Sequence, residues 1–381
     1  MIKTLKKYIS SYLNTIKISN IFKSKYKKKA LLSYVTIPFI KNSYSHSYYF
    51  EAQSWAKILA TLGYQVDVIH YDRRLKNIDT TQYDLICGFG SVFQKHFETP
   101  NSKAKTIYYA TGMHVYHQNL LSLKRVKDVY VKKNVWLGKS ARFVEKTWTH
   151  QTTLVNGIIA LGGNVCADSY RKHYDGRVIS VPAPFHTTQN VKEIINTKHK
   201  DSNKNFLWFG GSGFIHKGLD LLLDYFVKNV DLTLHVCGPI DDTSFVNAYK
   251  KELYETLNII TYGFIDIKSE VFTNTLKSCA FVIFPSCSEG GSVSVLTAIG
   301  NGALIPIITK ETAISTGSEI WINNLDYHGI DEAIKNALKL KDNEIFLLLK
   351  KNYEFVALNN SKENYYNKLK LSILDVLGDM E

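Results

Sequence analysis

Short apolar, β-rich runs alternate with segments of helical period along most of this chain, and the alternation starts twice. The first series has strands expected at 30–36, 65–70, 84–88, 106–111, 157–161 and 178–181, with a helix at 51–62 that stops at Gly63. Residues 113–150 are polar, basic and rich in His and Trp, and are expected as loop plus helix bordering a cleft. The second series has strands at 205–209, 232–237, 258–262, 280–284 and 303–308. Helices are expected between them at 217–227, 245–257, 269–278 and 292–300, and three more, near 329–340, 343–357 and 362–377, close the chain. Strands that alternate with helices build a parallel sheet with crossover helices. Two such series in 381 residues exceed what one core holds, roughly 250–300 residues. The expected fold is therefore α/β, with two Rossmann-like domains facing a central cleft. The divisions are a leader at 1–29, an N-terminal domain at 30–185, a polar linker at 186–203 and a C-terminal domain at 204–360. A C-terminal helix at 361–381 is expected to pack back on the N-terminal domain.

The net charge of +13 points to anionic partners, and most of the excess sits in the leader. Residues 1–29 hold nine Lys and no acid. Ile2, Leu5, Ile9, Leu13, Ile16 and Phe22 recur among them at helical spacing, as in segments that lie on an anionic membrane. A second basic stretch (Lys124, Arg125, Lys127, Lys132, Lys133, Lys139 and Arg142) is expected to face the same kind of surface. Five scattered Cys form no CxxC, which argues against a disulfide framework or zinc site and fits a reducing cytosol. No apolar run reaches the roughly 18 residues that span a bilayer, and the leader lacks the apolar stretch of a signal peptide. The expected location is cytoplasmic, peripheral on the inner face of the membrane.

Two segments carry the chemistry. In the first, a strand runs into Gly210-Gly211-Ser212-Gly213, and Lys217-Gly218 opens a helix. Glycines let backbone N–H groups approach a phosphate, the helix N-terminus favours anions, and Lys217 adds a point charge. The spacing is neither GxGxxG nor a Walker A loop, so an NAD-dependent oxidoreductase is not indicated. In the second, a buried strand ends at Pro285, a polar loop follows, and Glu289-Gly290-Gly291-Ser292 leads into a helix. Here N–H groups of Gly290, Gly291 and Ser292 would meet an anion, while Glu289 accepts from sugar hydroxyls or caps the helix. In the first half, Tyr109-Ala110-Thr111-Gly112-Met113-His114 ends a strand and places His114 at its carboxyl edge, with His117 the next choice. His46, beside Tyr48, Tyr49 and Glu51, and Asn164, after Gly162-Gly163, are the other cleft or acceptor candidates. Asp241-Asp242 is the nearest thing to an acidic metal motif and is read as a surface loop.

Both segments resemble the C-terminal domain of retaining GT-B glycosyltransferases of family 4 (glycosyl transferases group 1). That family carries Gly-Arg-x4-Lys-Gly after the first strand of its second domain, and Glu-x7-Glu further on. Lys217-Gly218 and Glu289-Gly290-Gly291 match; Ser212 stands where the Arg would be and Thr297 where the second Glu would be. The resemblance covers residues 205–340 well and the first half by pattern. It implies transfer of a hexose, with retention, from a nucleoside-diphosphate sugar to a glycan or lipid-linked acceptor, in cell-surface polysaccharide synthesis. It implies Glu289 on the sugar with His114 near it, and Gly211, Ser212, Gly213, Lys217, Gly290, Gly291, Ser292 and Thr297 around the donor. It implies no cofactor and no metal beyond the sugar nucleotide itself.

Ser212 and Thr297 open two questions. Charge for the diphosphate would have to come from elsewhere, with Arg171, Lys172 and Lys310 as candidates. The alternative function is a GT-B protein without turnover, binding a sugar nucleotide or glycan as a scaffold subunit. A nucleic-acid binder is disfavoured, since charge is its only support and no recognition module is present.

Overall fold

The computed structural model describes residues 17–41, 46–72, 78–144 and 152–378. The first half contains β1 (Lys28–Tyr34), α1 (Tyr48–Thr61), β2 (Tyr64–His70), β3 (Leu85–Gly88), α2 (Ser91–Glu98) and β4 (Lys105–Ala110). It continues with α3 (Val115–Lys133), β5 (Gly157–Leu161), α4 (Asn164–Arg171), β6 (Arg177–Val181) and α5 (Val191–Asn196). The second half runs β7 (Asn205–Phe209), α6 (Leu219–Phe226), β8 (Thr233–Cys237), α7 (Thr243–Ala248), α8 (Lys250–Tyr254), β9 (Ile259–Gly263), α9 (Glu270–Ser278) and β10 (Phe281–Phe284). It closes with α10 (Val293–Gly302), β11 (Ile305–Ile308), β12 (Ile320–Trp321), α11 (Tyr327–Leu338), α12 (Asp342–Asn359) and α13 (Lys362–Leu377).

Two six-stranded sheets result, in the orders β2-β1-β3-β4-β5-β6 and β12-β11-β10-β7-β8-β9. Neighbouring strands pair parallel throughout both. Parallel strands need apolar residues on both faces, because crossover helices cover each side. Accordingly β5, β10 and β11 are buried at every position. In the second sheet the chain steps outward from β7 through β8 to β9, then crosses to β10 on the other side. The crevice beyond the carboxyl ends of β7 and β10 is a topological switch point, where such sheets bind ligands.

Four features differ from the sequence reading. First, the expected leader is docked from Lys17 onward: Ile18 bridges Val68 antiparallel, and Lys17 Nζ lies 2.8 Å from Asp67. Residues 1–16 lie outside the described residues. Second, the stretch read as a linker contains α5, whose Val191 and Ile194 are buried. Third, the single helix expected over 245–257 breaks at Tyr249, whose buried ring stacks on Phe245 at 4.8 Å. Fourth, three charges of the basic stretch, Arg125, Lys132 and Lys133, pair with acids of the second half, while Lys124, Lys127 and Lys139 stay exposed. Arg125 and Asp220 are both buried and lie 2.5 Å apart. Lys132 pairs with Asp224, and Lys133 lies 2.7 Å from Glu252 and over the Tyr249 ring. Three of the seven charges read as a membrane face therefore bind the first half to the second.

The last helix, α13, packs on the first sheet. Its Val376 meets Gly157 of β5, and Lys105 Nζ of β4 donates to the carbonyl of Leu377 at 2.7 Å. Its Tyr365 hydroxyl lies 3.0 Å from that of Tyr109, and Tyr109 and Tyr34 both donate to the buried Glu51. No helix among the described residues is long and apolar enough to cross a membrane. All five Cys are buried and free.

Candidate functional site

The loops after β7 and β10 meet at the switch point of the second sheet. After β7 the chain turns through Gly213 and returns by the Lys217 N–H donating to the Gly213 carbonyl at 2.8 Å. Gly218 follows with φ +67, where a Cβ would stand 2.2 Å from the Pro285 carbonyl oxygen. Only glycine fits, so the β7 loop presses on the end of β10 and puts Lys217 beside the second loop. There the His216 carbonyl accepts from the Cys287 N–H at 2.9 Å.

Glu289 is the centre of the cluster. Lys217 Nζ lies 3.2 Å, His216 Nε2 3.3 Å and Ser286 Oγ 3.3 Å from its Oε1. Burial pushes its carboxyl pKa up, but Lys217, His216 and Arg142 together outweigh that and hold it well below the carboxylate range. Glu289 is thus a buried carboxylate kept ionised. Lys217 also donates to the Ser212 carbonyl at 3.1 Å. The hydroxyls of Ser288 and Ser292 are buried without a hydrogen-bond partner, and Ser292 is the N-cap of α10. An orphan buried hydroxyl at a helix N-terminus is an unmet donor where anions are favoured. Thr297 is buried one turn further into the same helix. Gly211 and Ser212 are exposed at the rim.

The first half closes directly onto this loop. A Cβ on Gly290 would lie 2.2 Å from the Thr111 carbonyl oxygen, and one on Gly291 would lie 2.7 Å from Gly162 Cα. The two glycines that the sequence suggests as anion donors therefore also let two backbones touch across the cleft. Thr111 and Gly112 in turn line a cavity of about 430 Å³ beyond the ends of β2, β3 and β4. Its walls include Tyr71, Phe89, Tyr108, Tyr109, His114 and Arg142.

His114 is the N-cap of α3, buried, with Nδ1 accepting from the Tyr116 N–H at 3.3 Å. Its ring stacks on His173 at 4.3 Å. Burial, with help from His173 and His117, lowers its pKa from 6.5 to about 4. His117 has a buried Nε2 without a hydrogen-bond partner. His46 stacks on Tyr48 at 4.3 Å, and its pKa is lowered by burial and by Lys217 and Arg142. Asn164 is exposed, and its Oδ1 accepts from Ser180 Oγ at 3.1 Å.

Arg142 is the residue that sequence reading missed in this role. It comes from the first half, lines the cavity, and lowers the pKa of Glu289, His216 and His46. Of the cations considered from sequence, Arg171 is held by Asp168 at 2.6 Å and by the Val178 carbonyl. Lys310 and Lys172 are exposed and do not enter the Glu289 cluster. Nothing local marks Arg142, because its partner charges lie far along the chain. Asp242 is likewise no isolated surface acid: it caps α7 and accepts from Ser140 across the cleft.

Acid should loosen this architecture. Burial lowers His114, His186 and His235 from 6.5 to about 4. Between those values the unfolded chain holds more protons than the folded one, so stability falls as pH falls through that window. The melting temperature should drop by several degrees between about pH 7 and about pH 5. Equal values at both would contradict the assignment.

No protein-family model and no curated protein matches the chain. Solved structures do. HepE from Anabaena, in complex with UDP and glucose, aligns over 93% of this chain and 100% of its own, at TM-score 0.57 and 9% identity. A glycosyltransferase from Rickettsia africae aligns over the same shares at TM-score 0.55 and 12% identity. S. aureus TarM is longer: 79% of this chain aligns with 57% of TarM, at TM-score 0.49 and 17% identity. With two six-stranded parallel sheets facing each other, the chain has the GT-B fold. That fold defines a class of protein whose known members include glycosyltransferases with sugar-nucleotide sites.

Proposed function

We propose that this chain is a glycosyltransferase that moves a hexose, with retention, from a nucleoside-diphosphate sugar to a glycan or lipid-linked acceptor. The observation that carries the reading is the Glu289 cluster, an ionised buried carboxylate between Lys217 and His216 at the switch point, beside two orphan hydroxyls. The setting favours the proposal further: HepE was solved with UDP and glucose, and the Rickettsia africae protein is described as a glycosyltransferase.

The geometry supports the following roles. Lys217, Ser292 and the N-terminus of α10 receive the diphosphate. Arg142 supplies the second cation that Ser212 lacks. Glu289 accepts from hydroxyls of the sugar, which lies between it and the Thr111–Gly112 edge of the cavity. The acceptor enters through that cavity, whose aromatic walls suit a sugar ring and whose neutral His114, with Nδ1 already accepting from Tyr116, can donate a hydrogen bond from Nε2. The bond from the anomeric carbon to the phosphate oxygen breaks and its electron pair leaves with the diphosphate, while the acceptor hydroxyl oxygen bonds to the anomeric carbon and passes its proton to the departing diphosphate oxygen. Positive charge fixed in place stabilises that leaving group without reorganisation. In this reading no cofactor or metal is required, and the enzyme works in the cytoplasm on the path to cell-surface polysaccharide.

The test is a thermal-shift panel of UDP, GDP, CMP, ADP and dTDP sugars. A selective rise with one nucleotide, absent in Lys217→Ala, is expected. No rise with any donor would remove the support for this site. Thr297 and Ser212 favour one second reading, a subunit that binds the same donor without turnover; it shares the panel result and differs in nucleoside diphosphate release.

A further inference from the structure

Helix α3 mixes polar and apolar residues on its buried side, Gln118, Ser122 and Arg125 with Val126 and Val129. Its outward face carries Tyr116 (54% exposed), Leu120 (69%), Leu123 (50%), Tyr130 (46%) and Val131 (77%). At 100° per residue these five fall within one third of the helix circumference, so they form a continuous stripe. Trp136, 57% exposed just past the helix, packs edge-on to Tyr130 at 6.4 Å and extends it. Six side chains of this size present on the order of 500 Å² of apolar surface, the size of the largest patch on a typical monomer, which is often functional.

The charges inside the stripe identify the occupant. Lys127 stands among the apolar residues and Lys124 at their flank, both exposed, and no acid shares that arc. The nearest acid, Asp128, lies off the stripe, 3.4 Å from Arg125. Tyr and Trp beside Leu, with Lys interleaved, is the composition of a helix that settles into a lipid headgroup layer. A second copy of this chain would set these lysines against each other. An acidic protein groove offers no reason for such a wide apolar stripe. The inward ion pairs of Arg125, Lys132 and Lys133 hold the helix rigidly with this face outward.

We infer that the outward face of α3, with Trp136, docks on an anionic bilayer surface. The inference does not depend on the transferase reading. It does place the cavity close to lipid, because Val115 and Gln118 line the cavity while Tyr116 and Leu120 point out of the same turn. Docking by this face is distinct from binding through residues 1–29.

The experiment is flotation of the full chain with vesicles of phosphatidylglycerol and phosphatidylcholine, against phosphatidylcholine alone. Wild type should float with the anionic vesicles. Leu120→Asp with Leu123→Asp should weaken that partitioning at least about tenfold while melting temperature stays the same, as expected for exposed positions. Lys124→Glu with Lys127→Glu gives a second variant that leaves the apolar stripe intact, and it should reduce binding to anionic vesicles. Unchanged flotation of both variants would overturn the inference and leave the leader as the anchor. Failure of wild type to float, or a concentration-dependent dimer abolished by the Leu substitutions, would overturn it too.

Discussion

Arg125→Ala should lower the free energy of unfolding by about 3–5 kcal/mol, because it leaves the Asp220 carboxylate buried and unpaired. The two groups lie 2.5 Å apart, each with only a few per cent of its side chain exposed. Arg125 is on α3 in the first half and Asp220 on α6 in the second, so the loss falls on the contact between halves. Denaturant unfolding of the two proteins measures it. Arg125→Met with Asp220→Leu should recover most of the stability, since removing both charges abolishes the desolvation cost. A single variant as stable as wild type would mean that water reaches Asp220 when Arg125 is gone.

The second large effect concerns Lys217. Its ammonium is the cation nearest Glu289 in the second half, at 3.2 Å, and is mostly buried. Lys217→Ala should weaken sugar-nucleotide binding about 10- to 100-fold, the worth of one charged hydrogen bond at about 1.5–3 kcal/mol. The Glu289 carboxyl should also move up toward the ordinary range, because Lys217 is its largest stabilising charge. Titration calorimetry reads the first effect. An affinity that does not change would place the donor elsewhere in the cleft.

The strand ends were the most legible part of the sequence. The strands expected at 157–161 and 205–209 coincide with β5 and β7, since short runs of bulky apolar residues bounded by Gly and polar residues have few alternatives. Lys217 and Glu289 follow from that, as they stand at carboxyl ends of strands. What sequence left hidden is what depends on the third dimension. Arg142 gives no local sign that its charge acts on Glu289. Lys132 and Lys133 read as a surface because their acidic partners lie about 90 to 120 residues on, at Asp224 and Glu252. The break at Tyr249 was missed because burial of its ring, rather than a Gly or Pro, sets the backbone there. Gly290 and Gly291 were legible as glycines that matter, but not as the contact between two domains.

The most direct measurement of the central claim is release of nucleoside diphosphate from the donor selected in the thermal panel, by wild type and by Glu289→Gln. The account predicts slow release by wild type with water as acceptor, and release at least about 100-fold slower in Glu289→Gln, which still binds the donor. Donor binding by wild type without any release, with or without glycan acceptors, would contradict it and leave a sugar-nucleotide-binding protein in its place.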